Sequence, residues 1–108
     1  MRCIAVLTTT ASVEEARRIA RELVSSGLSA CVQISEIESF YIWDDAVQNE
    51  PEYRLLIKTT AERYAEVETA IRDLHSYELP AIYAFAVQNA YGPYADWVHS
   101  NSPGTRKK

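Results

Sequence analysis

Glycine and proline are scarce, three of one and four of the other in 108 residues, which excludes a loop-dominated fold and a glycine-rich phosphate cradle. Only two cysteines occur, Cys3 and Cys31, each inside an apolar segment without CxxC or CxxxH spacing. A disulfide scaffold is thereby excluded, and buried free thiols in a reducing cytoplasm are expected. No apolar run approaches the ~18 residues that span a bilayer, and the opening MRCIAVLTTTASVEEA turns polar after the short stretch CIAVL. A soluble chain without an export signal is expected. Positive charge is also in deficit: 11 Lys and Arg against 15 Asp and Glu give a net charge of -4, with three positives crowded at Arg106, Lys107 and Lys108. An acidic body repels phosphate, so neither nucleic acid nor an anionic membrane surface is expected as a partner. GxSxG and HExxH are missing, no catalytic residue can be assigned, and the chain reads as non-enzymatic.

What is present is an ordinary globular balance, 47% hydrophobic and 24% charged, in a length that suits one core. Arg2 to Thr10 reads as a buried strand. Ser12 and Glu15 form a capping box, and Val13, Ala16, Ile19, Ala20, Leu23 and Val24 recur at helical spacing up to Gly27, which suits a left-handed cap. From Leu28 the period becomes two through Ala30, Val32 and Ile34, then slips so that Ile37, Ser39, Tyr41 and Trp43 share a face. Such a slip predicts a bulge near Ser35 or Glu36. Polar residues from Asp44 to Pro51 predict the turn of a long hairpin whose return strand carries Tyr53, Leu55, Ile57 and Thr59. A second helix is predicted over Ala61 to Leu74. A last strand, apolar on both faces and therefore expected to be buried, is predicted over Ala81 to Gln88, and a short helix after Gly92 and Pro93.

That order is βαββαβ, a ferredoxin-like α+β sandwich with a long second-to-third strand hairpin and a short C-terminal helix. Residues 1–100 are read as a single domain and 101–108 as a disordered basic tail. One side of such a sheet lacks helices, yet it is apolar, and the hairpin ends in Phe40, Tyr41 and Trp43. Those three are assigned to an interface between copies of the chain.

Two clusters have chemical potential. In HSYELP, residues 75 to 80, His75 and Glu78 pair an imidazole with a carboxylate, a start toward a copper or zinc site that is weak without further donors. Lys58, with Glu52 on the same strand face, reads either as a snorkelling lysine or structural ion pair or, with Tyr77 from the turn, as the cationic anchor of a ligand cleft between subunits that takes a small anionic metabolite, the alternative to a metal role.

LSACVQ at 28 to 33, then Ser39, Tyr41 and Trp43, then Glu52, Leu55, Lys58 and Thr59, then HSYELPAI at 75 to 82, then Tyr94 and Trp97 together resemble the CutA family of divalent-cation-tolerance proteins. The resemblance runs from about Ile4 to Val98. It implies a ferredoxin-like fold, a homotrimer with interlocking hairpins, a cytoplasmic location and a part in copper tolerance. It also implies kinship with PII-like trimers, which bind small ligands between subunits. The chain departs from the family pattern at Ser76, where proline is usual, at Ala81, where glutamate is usual, and at Asp45, where glycine is usual. Of the copper ligands described for the family's bacterial prototype, the cysteine position holds Thr8, one histidine position holds Leu74, and only His75 remains.

Overall fold

Alternation at period two is clearest in the first strand, and the computed structural model, which describes residues 2–104, shows what it does. Strand β1 (Cys3–Thr10) buries Ile4, Val6, Thr8 and Thr10 and leaves the residues between them half-buried. The remaining elements are helix α1 (Val13–Ser25), β2 (Cys31–Trp43), β3 (Ala46–Thr60), helix α2 (Tyr64–Leu74), β4 (Tyr83–Ala86) and helix α3 (Gly92–Ser100). The four strands form one antiparallel sheet in the order β2-β3-β1-β4. Register sets Ile4 beside Thr59, Val6 beside Ile57 and Thr8 beside Leu55, so these side chains share a face. Ile19 and Leu23 of α1 and Val67 and Ile71 of α2 join that face in one core. Each fully buried Leu, Ile or Val contributes about 1.5–3 kcal/mol. The ferredoxin-like α+β sandwich is thus the observed fold.

The opposite face is only partly covered, by α3. Lys58 Nζ lies 5.5 Å from the centre of the Tyr94 ring, and the Cys3 thiol points to the Ala95 carbonyl at 3.9 Å. Cys3 and Cys31 are free and half-buried, not fully buried as expected, because their strand positions face this thinly covered side. Strand β4 is shorter than the predicted 81–88 and exposed throughout, with Tyr83 48% and Phe85 60% accessible. It is an edge strand paired only with β1, which is why its apolar faces are not buried within one chain.

No bulge interrupts β2. Its pairing with β3 runs without a break from Cys31 opposite Lys58 to Trp43 opposite Ala46. The slip in the apolar pattern has another cause: residues 32 and 34 lie on the helix side of the sheet, beside Ile57 and Leu55, whereas 37, 39, 41 and 43 lie on the open side after the strand has left the core. The turn is likewise tighter than the predicted Asp44 to Pro51. Asp44 and Asp45, at φ 53° and 60°, form a two-residue connection, the conformation in which glycine is favoured. Pro51 belongs to β3, in the stretch paired only with β2, where a missing N–H on the free edge disrupts no ladder.

Ser12 caps α1, its hydroxyl accepting the Glu15 N–H at 3.1 Å. Past its end, Leu28 N–H bonds to the Leu23 carbonyl and Gly27 N–H to that of Val24, with Gly27 at φ 81°. The second helix opens with a 3-10 turn, Ala61–Arg63, ahead of α2. The C-terminal stretch departs from the expected disorder over its first part. Ser102 is buried, Asn101 Nδ2 donates to the Trp97 carbonyl at 2.9 Å, and Gly104 N–H donates to the Gly27 carbonyl at 3.0 Å. The rest of the expected tail, 105–108, lies outside the described residues.

Thr8 is fully buried, and its hydroxyl has no hydrogen-bond partner among the described residues. Orphaned buried hydroxyls cost about 1–3 kcal/mol, so Thr8→Val, which keeps the shape, should leave stability unchanged or raise it by up to about that amount. Urea unfolding checks this; a loss beyond about 1 kcal/mol would show that the hydroxyl is satisfied.

Candidate functional site

Helix α2 stops at Leu74 because side chains take the amides that would continue it. Ser76 N–H donates to Glu15 Oε2 at 2.7 Å, and Tyr77 N–H donates to His75 Nδ1 at 3.1 Å. Ser76 Oγ adds a 2.9 Å bond to Glu15 Oε1, and Arg18 donates to the Leu74 carbonyl at 2.7 Å. Helix α1 therefore holds the turn with one carboxylate and one guanidinium. The stop at Leu74 is where the predicted helix ends, and Pro80 lies well beyond it. The capping box is half-formed for the same reason: Ser12 acts as expected, while the Glu15 carboxylate is committed to the turn.

His75 is the centre of the turn. Its side chain is 0% exposed. With Tyr77 N–H donating to Nδ1, the ring proton resides on Nε2 and donates to the Thr9 carbonyl at 2.7 Å. Both nitrogens are engaged, with Glu15 Oε2 a further 3.5 Å from Nδ1. A divalent cation could reach His75 only by displacing one of these bonds. Glu78 is exposed, and no bond joins it to His75. Among the described residues, no group of three or more His, Cys, Asp and Glu side chains stands ready to hold a metal. The donors of a single chain do not fit a divalent cation at this turn.

The turn aims Tyr77 at β3. Its hydroxyl donates to Glu52 Oε2 at 2.6 Å, and the Thr9 hydroxyl reaches the same oxygen at 3.4 Å. Glu52 is buried at 7% exposure, on the first residue of β3 beyond the end of β1. Burial is the main cause that pushes the Tyr77 phenol far above its usual pKa, and the hydrogen bond to Glu52 and that carboxylate's charge push it in the same direction. A second phenol and carboxylate lie next to the first: Tyr41 Oη donates to Glu50 Oε1 at 2.8 Å, and this bond is the leading cause of the raised pKa of Tyr41.

A cleft of about 720 Å³ opens here, lined by Thr9, Ile37, Tyr41, Trp43, Glu52, Arg54, Tyr77, Glu78 and Leu79, among others. Glu52 and Tyr77 of the expected ligand group meet in it. Lys58 does not join them. It lies six residues along β3, roughly 20 Å at ordinary strand rise, against Tyr94. Phe40, Tyr41 and Trp43 sit on the arm at 69%, 37% and 42% exposure. Glu15, Thr9 and Arg54 were not singled out by sequence reasoning. Glu15 carried a signal, but that signal was fully accounted for by its place in the capping box.

A profile of the CutA1 divalent ion tolerance proteins matches residues 4–101. A divalent-cation tolerance protein CutA from Archaeoglobus fulgidus is 36% identical over 93 residues, covering 86% of this chain and 91% of its own. One from Thermus thermophilus is 37% identical, covering 90% and 95%. Among solved structures, the periplasmic divalent cation tolerance protein CutA of Archaeoglobus fulgidus superposes with a TM-score of 0.91 at 33% identity, over 93% of this chain and 98% of that one. The CutA1 of a psychrotrophic Shewanella reaches 0.90 at 35%, over 94% and 96%.

The Tyr77 to Glu52 bond has a calculable pH signature. A phenol whose folded pKa is raised above the unfolded value near 10 contributes stability that is complete below that value and is lost as pH rises toward the folded pKa. Tyr77→Phe should cost about 1–3 kcal/mol at pH 7 and flatten the loss of stability above about pH 10. Denaturant unfolding across that range is the check; identical alkaline slopes in both proteins would refute the assignment.

Proposed function

The chain belongs to the CutA1 divalent ion tolerance protein family, and from that premise we propose that it acts in divalent-cation tolerance as a non-enzymatic homotrimer. The observation that supports assembly most directly is the apolar surface a single chain leaves uncovered. Phe40 at 69%, Ile42 at 65% and Val47 at 70% exposure extend along the β2–β3 arm beyond the end of β1, and Tyr83 and Phe85 are exposed on the edge strand. Soluble monomers rarely expose contiguous apolar patches of this kind. Two-stranded ribbons are also marginal alone, so the arm gains its stability from what it lies against. The sheet offers two free edges, β2 and β4, and three copies meeting through arms and open faces would cover both. Two free thiols suit a reducing compartment, and we place the protein in the cytoplasm.

The role in cation tolerance rests on the family. Because both nitrogens of His75 are engaged and Glu78 stands apart, binding of copper or zinc by this chain is weak, and any stronger site draws donors from more than one subunit. Calorimetric titration of metal-free protein should therefore show no tight copper or zinc site, and His75→Ala should lower stability more than it lowers metal affinity. Tight stoichiometric binding that disappears in His75→Ala would overturn this placement.

Light scattering after size exclusion should give three times the 12.2 kDa chain mass. Trp43→Ala or Tyr41→Ala should shift the population toward smaller species at micromolar concentration, since each deletes an aromatic surface worth about 3 kcal/mol or more when covered. A monomer in the wild type would sink the proposal.

A further inference from the structure

Helix α3 is nine residues long, too short to hold together alone, so its place on the sheet depends on what grips its ends. Its N-terminus has no side-chain cap among the described residues, and a Cβ added at Gly92 would meet nothing within 4 Å. The C-terminus is the gripped end. Asn101 closes the helix, its N–H and its Nδ2 both donating to the Trp97 carbonyl, at 3.1 and 2.9 Å. From there the chain leaves the side of the sheet that carries α3 and reaches the layer of the other two helices. Ser102 is 3% exposed, and Gly104 N–H donates at 3.0 Å to the carbonyl of Gly27, just past the end of α1.

Gly104 has a φ of 107°, which side chains rarely adopt, and a Cβ there would lie 2.6 Å from Arg63 Nη1. Arg63, in the 3-10 turn ahead of α2, pairs with Glu66, and its Nε is buried. The strap therefore runs between a carbonyl at the end of α1 and a guanidinium at the start of α2, through a gap shaped for glycine. We propose that residues 101–104 are a latch: they hold α3 closed on the sheet, and their release lets α3 and the strap open as one unit while the core between the sheet, α1 and α2 stays folded. Its contacts are made within one chain, at the ends of the two core helices, so closure does not wait on a second copy. Opening uncovers what α3 covers, the Cys3 thiol under the Ala95 carbonyl and Lys58 under the Tyr94 ring. Units that open below the global unfolding free energy are the ordinary source of such motion.

Native-state amide hydrogen exchange on the full-length protein, resolved by residue, tests this. Gly104→Ala should speed exchange of the Ala95, Asn101 and Ser102 amides roughly tenfold and leave the slowest amides of α1 and α2 unchanged. The same substitution at the other end of the helix, Gly92→Ala, should not speed exchange in α3. In the wild type, the Gly104 and Asn101 amides should show matching protection, as members of one opening unit. Unchanged protection of α3 in Gly104→Ala, or acceleration shared equally with α1 and α2, overturns the latch. Should that variant not fold, the wild type decides: a Gly104 amide that exchanges at the open-chain rate beside a protected Asn101 overturns it, and matching protection of the two supports it.

Discussion

The length difference between two neighbouring strands governs the rest of the structure. Strand β1 ends at Thr10, paired with Tyr53, while β3 extends on the other side of that pair from Ala46 to Glu52. Inward of the pair, β3 is a central strand with neighbours on both sides and helices over one face. Outward of it, β3 has only β2, and the two form an arm without a core of their own. Glu52 stands at this boundary, where the sheet narrows and a corner opens beside the end of β1. The corner is filled by Tyr77 from above and Thr9 from the side, so a carboxylate that would be solvated anywhere else on the arm becomes buried.

A corner of this kind is only as well defined as the turn that fills it. Five hydrogen bonds hold residues 74 to 77: Arg18 to the Leu74 carbonyl, Glu15 to the amide and to the hydroxyl of Ser76, and His75 to the Thr9 carbonyl and the Tyr77 amide. Three of them replace water at backbone groups at or just past the helix end, the Leu74 carbonyl and the Ser76 and Tyr77 amides, so the turn is held although it is neither helix nor strand. His75 acts here as a spacer with two hydrogen-bonding ends. A charged imidazole would place a proton on Nδ1, where the Tyr77 amide already donates, and the turn would have to rearrange.

Much of this was legible in the sequence. Element order, the α1 cap at Ser12, the left-handed Gly27 and the ferredoxin-like sandwich follow from periodicity and punctuation, which are local. The failures share a physical origin in contacts between distant residues. The apolar slip after Ile34 looked like a bulge because a local reading assumes one buried face per strand, whereas β2 changes the face it must cover when it leaves the core. Lys58 and Glu52 share a face, as the period of two requires, yet sharing a face does not bring two residues together across most of a strand. Glu15 was assigned to its own helix when its partners lie 61 residues away. Ser102 and Gly104 looked frayed because composition reports neither the burial of Ser102 nor the Gly27 carbonyl that accepts the Gly104 N–H.

Family and site answer different questions in this chain. Membership rests on the whole length of matched sequence and on the superposed fold, and neither depends on a metal ligand being present. Thr8 occupies a buried position facing the core, where a larger or metal-bound group would have to displace packed Leu55 and Val6 neighbours. The polar groups that this fold does gather, Glu52, Tyr77, Thr9 and Arg54, sit instead on the other face of the sheet, in the corner between arm and turn. Glutamine at position 52 would accept the same hydrogen bond from Tyr77 without a buried charge.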